Sequence, residues 1–368
     1  MPIGIYLHVP FCLSKCPYCD FYSLPLPDEQ TLDRYTERLI EQMRRYRGTA
    51  ADTLYFGGGT PSLLGGKRIA RLIDEAAACF ALHGAEITLE ANPADNLDDT
   101  FRAFAGAGGN RLSIGMQCGD DAGLKALGRR HTADDFLRCV QSARGAGLDN
   151  ISADWMLALP DENAVPRQSS LDLLLAADVR HVSAYLLKIE PNTPFYRQQS
   201  SLSLPDEDGT AEQYLRVCAA LGQAGFAQYE ISNFAKAGFH SRHNMKYWNA
   251  EPYLGFGPSA HSFFEGKRFA FPRSLTDFLN GAEPTVQPRD TDIPDASPAE
   301  YLMLRLRLTE GVVASDFSAR FGIPLPEEWM RRAKHIPSEL LQCDGDGMRL
   351  TRHGFLLSNE ILRRLLDL

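Results

Sequence analysis

Residues 8–21 read HVPFCLSKCPYCDF and set Cys12, Cys16 and Cys19 in the spacing CxxxCxxC. Thiolates are soft ligands, which suit iron–sulfur clusters and zinc. A closed zinc site takes four ligands, and the nearby His8 and Asp20 are poor candidates for the fourth. Three thiolates on a cubane cluster would leave one iron open to a further ligand. The loop therefore indicates a [4Fe–4S] cluster, with zinc and three chance core cysteines as the alternatives.

The bulk composition is that of a globular protein that does not bind nucleic acid. The chain has 368 residues, 44% of them hydrophobic and 23% charged, and its formal net charge is -9. This acidic balance argues against a protein that neutralises nucleic-acid phosphates. We find no apolar stretch near the roughly 18 residues of a transmembrane helix and no signal-peptide pattern. Three of the eight cysteines are crowded together, so we expect a cytoplasmic protein with a metal centre rather than disulfides.

Short β-branched segments alternate with helical patterns through the first two-thirds of the chain. The predicted strands cover residues 4–8, 53–56, 87–90, 111–115, 151–154 and 181–187. The predicted helices cover residues 31–46, 67–81, 98–107, 132–146 and 210–224. A repeating β/α order implies a parallel sheet covered by helices. Because six units are fewer than a closed eightfold barrel needs, the expected fold is α/β, a partial, open (β/α)6 TIM-like barrel.

The unusual residues follow the predicted strands directly. In such folds the chemistry lies at the C-terminal ends of the strands. The cysteine loop follows the first strand and the glycines of residues 57–59 follow the second, while Glu90, Gln117 and Asp154 close the third, fourth and fifth. Glycines let a backbone approach a ligand closely, although a tight structural turn is the usual alternative. Their common placement predicts one site.

The rest of the chain divides by composition. We assign residues 1–235 to the core and residues 236–281 to a connecting segment. Residues 282–298 are rich in Pro and Asp and are predicted to be a linker. Residues 299–368 contain further helical patterns and a short strand-like segment. They predict a small, mainly helical, winged-helix-like C-terminal domain.

The cysteine motif, with the aromatic Tyr18 before its third cysteine, resembles the radical S-adenosylmethionine (SAM) superfamily. The resemblance implies that SAM chelates the open iron through its amino and carboxylate groups. An electron from the cluster can then cleave it to a deoxyadenosyl radical. The protein's task would be to position the cofactor and exclude side reactions.

The resemblance extends over nearly the whole chain to the branch that contains oxygen-independent coproporphyrinogen III dehydrogenase, HemN. It implies that the SAM site contains Tyr6, Tyr18, Gly58, Gly59, Thr60, Glu90, Gln117, Arg129 and Asp154. Glu90 and Asp154 can accept hydrogen bonds from ribose hydroxyls or an amino group, and Arg129 can pair with a carboxylate. The alternative is that such residues cap helices or form surface ion pairs.

Two departures from the dehydrogenase point to a related family, the HemW-type haem chaperones. Phe21 stands where the dehydrogenase has a further cysteine, and only five residues precede Tyr6. The chain also carries the HNxxY motif of that family as His243, Asn244 and Tyr247. Histidine is a common axial haem ligand, so His243 is the predicted one. The weaker candidates are His8, His131, His240 and His261.

Two functions follow from the resemblance. The favoured one is a haem chaperone that binds haem and transfers it to acceptor proteins, while carrying a [4Fe–4S] cluster and SAM. It implies haem-acceptor proteins of the respiratory chain, an electron donor for the cluster and a possible homodimer as partners. The alternative is a radical SAM enzyme that decarboxylates coproporphyrinogen III or modifies a related porphyrin.

Overall fold

The computed structural model describes residues 1–94, 96–162, 168–286 and 293–368. The strands are β1 (Ile3–Val9), β2 (Phe11–Cys12), β3 (Leu24–Pro25), β4 (Ala51–Gly58), β5 (Glu86–Ala91), β6 (Arg111–Gln117), β7 (Ile151–Leu157), β8 (His181–Leu186), β9 (Ala227–Gln228), β10 (Asn233–Ala235), β11 (Tyr253–Phe256), β12 (His261–Phe264), β13 (Lys267–Ala270), β14 (Thr285–Val286), β15 (Val312–Val313), β16 (Leu341–Asp344) and β17 (Gly347–Leu350).

The helices alternate with these strands. They are α1 (Glu29–Arg44), α2 (Gly66–Phe80), α3 (Asp98–Gly106), α4 (Asp121–Ala126), α5 (Ala133–Gly145), α6 (Gln168–Ala177), α7 (Pro194–Arg197), α8 (Glu207–Gln223), α9 (Arg242–Trp248), α10 (Leu275–Leu279), α11 (Pro298–Arg305), α12 (Ala314–Phe321), α13 (Glu327–Ala333), α14 (Arg352–Leu356) and α15 (Ser358–Leu366). Helix α5 begins at a capping box, in which Thr132 and Asp135 exchange side-chain and backbone hydrogen bonds.

The main sheet is an open barrel wall. Within the described residues its parallel strands stand in the order β11-β1-β4-β5-β6-β7-β8, flanked by antiparallel β12-β13-β14 on one side and β10-β9 on the other. The six predicted strands are β1 and β4 to β8, so the predicted partial α/β barrel is confirmed. Strand β11 is an addition: it pairs with β1 through Gly4 and Tyr253. The prediction missed it because its sequence, YLGF, is short and contains a glycine.

Side chains of the barrel strands alternate between an apolar outer face and a polar interior. On β1, Ile5, Leu7 and Val9 are fully buried in the main core under the helices, while Tyr6 points inwards and approaches the ring of Tyr55 on β4. This is the period of two expected of a strand. The interior also buries the charged Arg111. We call the end formed by the C-terminal ends of the parallel strands the mouth.

The C-terminal region has its own core and its own small sheet. Strands β15, β17 and β16 form an antiparallel sheet, and helices α11 to α15 surround a separate group of buried residues that includes Leu302, Phe317 and Leu365. The predicted mainly helical, winged-helix-like region is confirmed. It joins the barrel through backbone hydrogen bonds from Ile231 N–H to the Arg307 carbonyl and from Thr309 N–H to the Tyr229 carbonyl.

The segment between barrel and C-terminal region is more structured than a simple connection. Residues 236–281 contain α9, β11, β12, β13 and α10, and three of these strands extend the main sheet. Of the predicted linker, residues 282–298, positions 287–292 lie outside the described residues. In the described part of the chain, we find no helix of the length and hydrophobicity that crossing a membrane requires.

Candidate functional site

The cysteine loop leaves β1 at the mouth and is tied to the glycine segment. Gly59 N–H donates to the Val9 carbonyl and Thr60 N–H donates to the Phe11 carbonyl, each at 2.8 Å. The short pair β2–β3 closes the other side of the loop. Backbone hydrogen bonds therefore hold the cysteine loop and the glycine segment together.

The three loop cysteines are half-buried free thiols. Burial raises the pKa of Cys12 and of Cys19, and the neighbouring Cys16 adds to both shifts. Within the described ranges, no three His, Cys, Asp or Glu side chains converge on a point that suits a single metal ion. A cubane differs in this respect, because its ligands bind separate corners. Three soft thiols on one loop fit a [4Fe–4S] cluster, whose irons would hold them as thiolates.

The glycine segment, residues 57–59, has no room for side chains. A Cβ on Gly59 would lie 2.6 Å from the Phe11 carbonyl oxygen, and a Cβ on Gly57 would lie 2.9 Å from the rings of Tyr6 and Tyr55. Gly58 adopts φ 115°, which favours glycine. Thr60 follows, with its hydroxyl 3.7 Å from Cys12 Sγ. The close approach of neighbouring backbone and rings at the mouth therefore requires glycine at these positions.

Two carboxyl groups face the barrel interior beneath the glycine segment. Glu90 accepts from the Tyr55 hydroxyl at 2.8 Å and from Gly58 N–H at 3.1 Å. Asp154 accepts from the Ser113 hydroxyl at 3.1 Å. Burial, reinforced by the negative charge of Asp154, raises the pKa of Glu90 to about 7. Burial likewise raises the pKa of Asp154 to about 6. The pair offers acceptors for the hydroxyls and ammonium of a small ligand.

Glu90 should make the stability of the cluster-free protein fall with rising pH. The unfolded carboxyl ionises near its ordinary pKa of 4.5, whereas the folded one keeps its proton to about 7. The folded state therefore binds more protons between these values, and stability declines as pH rises through that window. The Glu90 carboxyl is partly open to the barrel interior. We therefore expect Glu90→Gln to reduce the fall in the free energy of unfolding across this pH window by about 1–2 kcal/mol.

Chemical denaturation of both proteins at several pH values between 4.5 and 7.5 measures this effect. The exposed Glu339 provides the matched control, and Glu339→Gln should leave the pH profile unchanged. Parallel profiles for the wild type and Glu90→Gln would contradict the raised pKa.

Arg129 links the cysteine loop to the ends of β5 and β6. Its guanidinium donates to Asn92 Oδ1 at 3.0 Å, and its Nη1 lies 3.5 Å from Cys16 Sγ. Its buried Nε has no hydrogen-bond partner among the described residues. Gln117 lies close by at φ 63°, a strained backbone for a residue other than glycine. The arrangement leaves a donor free for a bound carboxylate.

Two tyrosines complete the predicted set. The Tyr6 hydroxyl lies 3.0 Å from His8 Nδ1, and His8 Nε2 lies 3.1 Å from the Tyr22 carbonyl oxygen. Tyr18 packs against Phe195 in a small apolar group beside the cysteine loop. Most of the predicted SAM-site residues thus lie at the mouth, whereas Tyr6 and Asp154, in the middle of β1 and β7, face the barrel interior below it.

His243 lies inside the barrel, at the end opposite the mouth. Helix α9 stands at the N-terminal ends of the strands, where the Arg242 and His243 N–H groups donate to Glu86 at 3.0 Å each. The His243 ring is buried, with Nδ1 2.8 Å from Thr53 Oγ1 and Nε2 2.7 Å from the Tyr247 hydroxyl. Burial lowers the pKa of His243 to about 3. Haem ligation by His243 stays a prediction, and this geometry does not favour it because both nitrogens are already bonded.

The other histidine candidates differ in access. His8 is bonded at both nitrogens, as described above, and His131 is buried with Nε2 3.1 Å from the Met116 carbonyl oxygen. His240 stacks on Tyr229 with ring centroids 4.1 Å apart. His261, at the start of β12, is exposed and lines a cavity at the mouth.

The sequence reasoning missed several polar residues at the site. Tyr55 and Ser113 hold the two carboxylates, and Asn92 holds Arg129. Tyr55 could have been found, because it stands two residues before the glycine segment and alternation turns it inwards. Ser113 carries no such signal, since a serine within a strand is common.

Comparison with known proteins agrees with the geometry. A family model described as "Radical SAM superfamily" matches residues 6–174, and one described as "HemN C-terminal domain" matches residues 294–357. A solved structure described as "Coproporphyrinogen III oxidase (HemN) from Escherichia coli is a Radical SAM enzyme" aligns with a TM-score of 0.82, covering 99% of this chain and 90% of that one. At 20% identity, that likeness shows the fold alone.

Three curated relatives match over nearly their whole length. "Heme chaperone HemW" of Escherichia coli (strain K12) is 36% identical, over 99% of this chain and 98% of that protein. The protein of the same name from Lactococcus lactis subsp. lactis (strain IL1403) is 33% identical, over 99% and 97%. The one from Bacillus subtilis (strain 168) is 33% identical, over 97% of both chains. From these matches and the shared fold, we conclude that the chain belongs to the HemW family of the radical SAM superfamily.

Proposed function

We propose that the protein binds haem and delivers it to acceptor proteins, while carrying a [4Fe–4S] cluster and SAM. The observation that carries the proposal is the match to proteins named haem chaperones over at least 97% of both chains. A cavity of about 410 Å³ beside the cysteine loop supports it, because its volume is within the range of small-molecule sites.

The cofactor residues proposed from the sequence suit their roles. Cys12, Cys16 and Cys19 would hold the cluster, which supplies one-electron chemistry when bound. The Nε of Arg129 can donate to the SAM carboxylate, because it has no partner among the described residues. Glu90 and Asp154 can accept from the ammonium and the ribose hydroxyls.

Tyr6, Tyr18, Gly58, Gly59, Thr60 and Gln117 complete the proposed SAM site. The close approach of the glycine segment to the cysteine loop supports this, because the backbone can then follow a ligand bound to the open iron. Tyr6 supplies a flat surface at the wall, and the side chains of Gln117 and Arg129 both lie over Gly115. These groups orient SAM and limit the access of water to it.

The proposal includes His243 as a haem ligand only under one condition. It can ligate haem iron only if its hydrogen bonds to Thr53 and Tyr247 break. Its contacts in the barrel better support a positioning role, since its ring stacks against Tyr55, with centroids 5.1 Å apart. Through Tyr55 it would help to hold Glu90.

The wider assignments are also proposals. We propose a cytoplasmic location, haem-acceptor proteins of the respiratory chain, an electron donor for the cluster and a possible homodimer. The matches to HemW proteins support the partnership with haem. Turnover of coproporphyrinogen III stays the competing function, because the sequence resembles the branch that contains HemN.

Transfer of haem tests the chaperone proposal. Haem-loaded protein, reconstituted anaerobically with cluster and SAM, is mixed with an excess of a haem-free globin. We expect the spectrum of the loaded globin to replace that of the donor. A donor that retains its haem under these conditions would contradict the delivery half of the proposal.

A further inference from the structure

The cavity begins beside the cysteine loop at the mouth and continues along the inside of β1 and β11 as far as α9. Phe21 and Tyr22, which closely follow the last loop cysteine, line it at the mouth, and Tyr247 and Tyr253 line its inner end. Phe21 leaves 63% of its surface exposed, an unusual state for a large aromatic side chain. The walls are therefore flat, aromatic and incompletely covered, as a planar apolar ligand requires.

His261 enters this cavity from β12. Neither of its ring nitrogens has a hydrogen bond within the part of the chain that the structure describes, and the side chain is exposed. Partial burial and the charge of Arg268 lower its pKa below the ordinary value, so the imidazole is neutral near pH 7. A neutral imidazole with a free nitrogen is the form that binds iron.

The backbone that carries His261 packs closely on the neighbouring strand β11. Gly255 on β11 is the register partner of Tyr6. A Cβ at Gly255 would lie 2.2 Å from the main-chain oxygen of His261, so no side chain can occupy this position. This close contact fixes the main chain of His261 beside β11, at the level of Tyr6 on β1.

Arg273 supplies a positive charge at the rim. It donates to the Asp20 carbonyl at 2.6 Å and lies over the Tyr22 ring, with Cζ 5.9 Å from the ring centroid. No carboxylate of the described residues forms an ion pair with it, in contrast to Arg268, which pairs with Glu300 at 2.8 Å. A guanidinium fixed in place with donors to spare is suited to a carboxylate such as a haem propionate.

We infer that haem lies in this cavity, with His261 as the axial ligand of its iron and Arg273 paired with a propionate. The inference rests on the proposed haem binding and adds its site. It puts the haem against Phe21, beside the cysteine loop, and leaves His243 in its hydrogen-bonded place inside the barrel. The cluster and the haem would then lie next to each other at the mouth of the barrel.

Haemin titration of the anaerobically reconstituted protein tests the site by optical difference spectroscopy. His261→Ala should weaken binding at least ~10-fold, because even loss of an outer hydrogen-bonding partner of a metal ligand costs about that much. The Soret band should shift as the nitrogen ligand is lost, and added imidazole should restore it. Arg273→Gln should weaken binding without shifting the band.

His83→Ala is the matched control, because this histidine is exposed just before β5, at the N-terminal end of the barrel. It should bind haem as the wild type does, and all variants should keep their iron and sulfide content. If His261→Ala binds with unchanged affinity and an unchanged Soret band while the wild type saturates, the site is overturned and haem binding stands. A failure of imidazole to restore the band also counts against His261. If the wild type does not saturate, the proposed function itself fails.

Discussion

The triple variant Cys12→Ala/Cys16→Ala/Cys19→Ala should contain no cluster after anaerobic reconstitution. Three half-buried thiols lie on the loop that leaves β1 at the mouth. Without them the loop offers no soft ligand, and an alanine methyl cannot bind iron. Iron and sulfide analysis should therefore fall from about four of each per chain, as a cubane contains, to background.

Cys343→Ala provides the matched control. Cys343 is half-buried on β16 in the C-terminal region, where its Sγ lies 3.9 Å from the sulfur of Met330. This variant should reconstitute fully, because its thiol is remote from the loop. A triple variant with a complete cluster would place the cluster elsewhere.

Arg129→Ala should weaken SAM binding roughly 10- to 100-fold, the cost of a lost charge-assisted hydrogen bond to a buried carboxylate. The guanidinium is held by Asn92 and lies 3.5 Å from Cys16 Sγ. It is therefore placed between the cluster ligands and the interior carboxylates. Titration of SAM against the paramagnetic resonance spectrum of the reduced cluster gives the dissociation constant.

The adjacent Arg130 allows a stringent comparison. It is exposed, so Arg130→Ala removes the same charge from the same loop without removing a donor from the site. Its dissociation constant should remain within about twofold of the wild type, since exposed charges contribute little. Equal SAM affinities for Arg129→Ala and the wild type would remove Arg129 from the proposed site.

Much of the mouth could be predicted because it follows from strand order. A parallel sheet brings the C-terminal ends of its strands to one edge, which places Glu90 and Gln117 near the mouth. Asp154 was expected at the end of its strand but lies in the middle of β7, because that strand continues to Leu157. Gly59 packs directly on the Phe11 backbone. This agrees with the expectation that glycines here let the backbone approach its neighbours closely. Both features depend on local sequence and on one rule of topology.

The placement of the histidines could not be predicted in the same way. His243 meets Thr53, which is 190 residues away in the chain, and that contact depends on how α9 returns to the N-terminal end of the barrel. His261 faces the mouth only because β11 and β12 extend the sheet beyond β1. Short strands of four residues carry too little pattern to predict such an extension.

The central claim is that this protein carries haem rather than converts a porphyrinogen. One anaerobically reconstituted sample, with full cluster and SAM, is divided between a haemin titration and an assay with coproporphyrinogen III and a reductant. We expect saturable haem binding near one equivalent per chain and no protoporphyrinogen. Formation of protoporphyrinogen together with no saturable haem binding would contradict the account and identify a radical SAM enzyme.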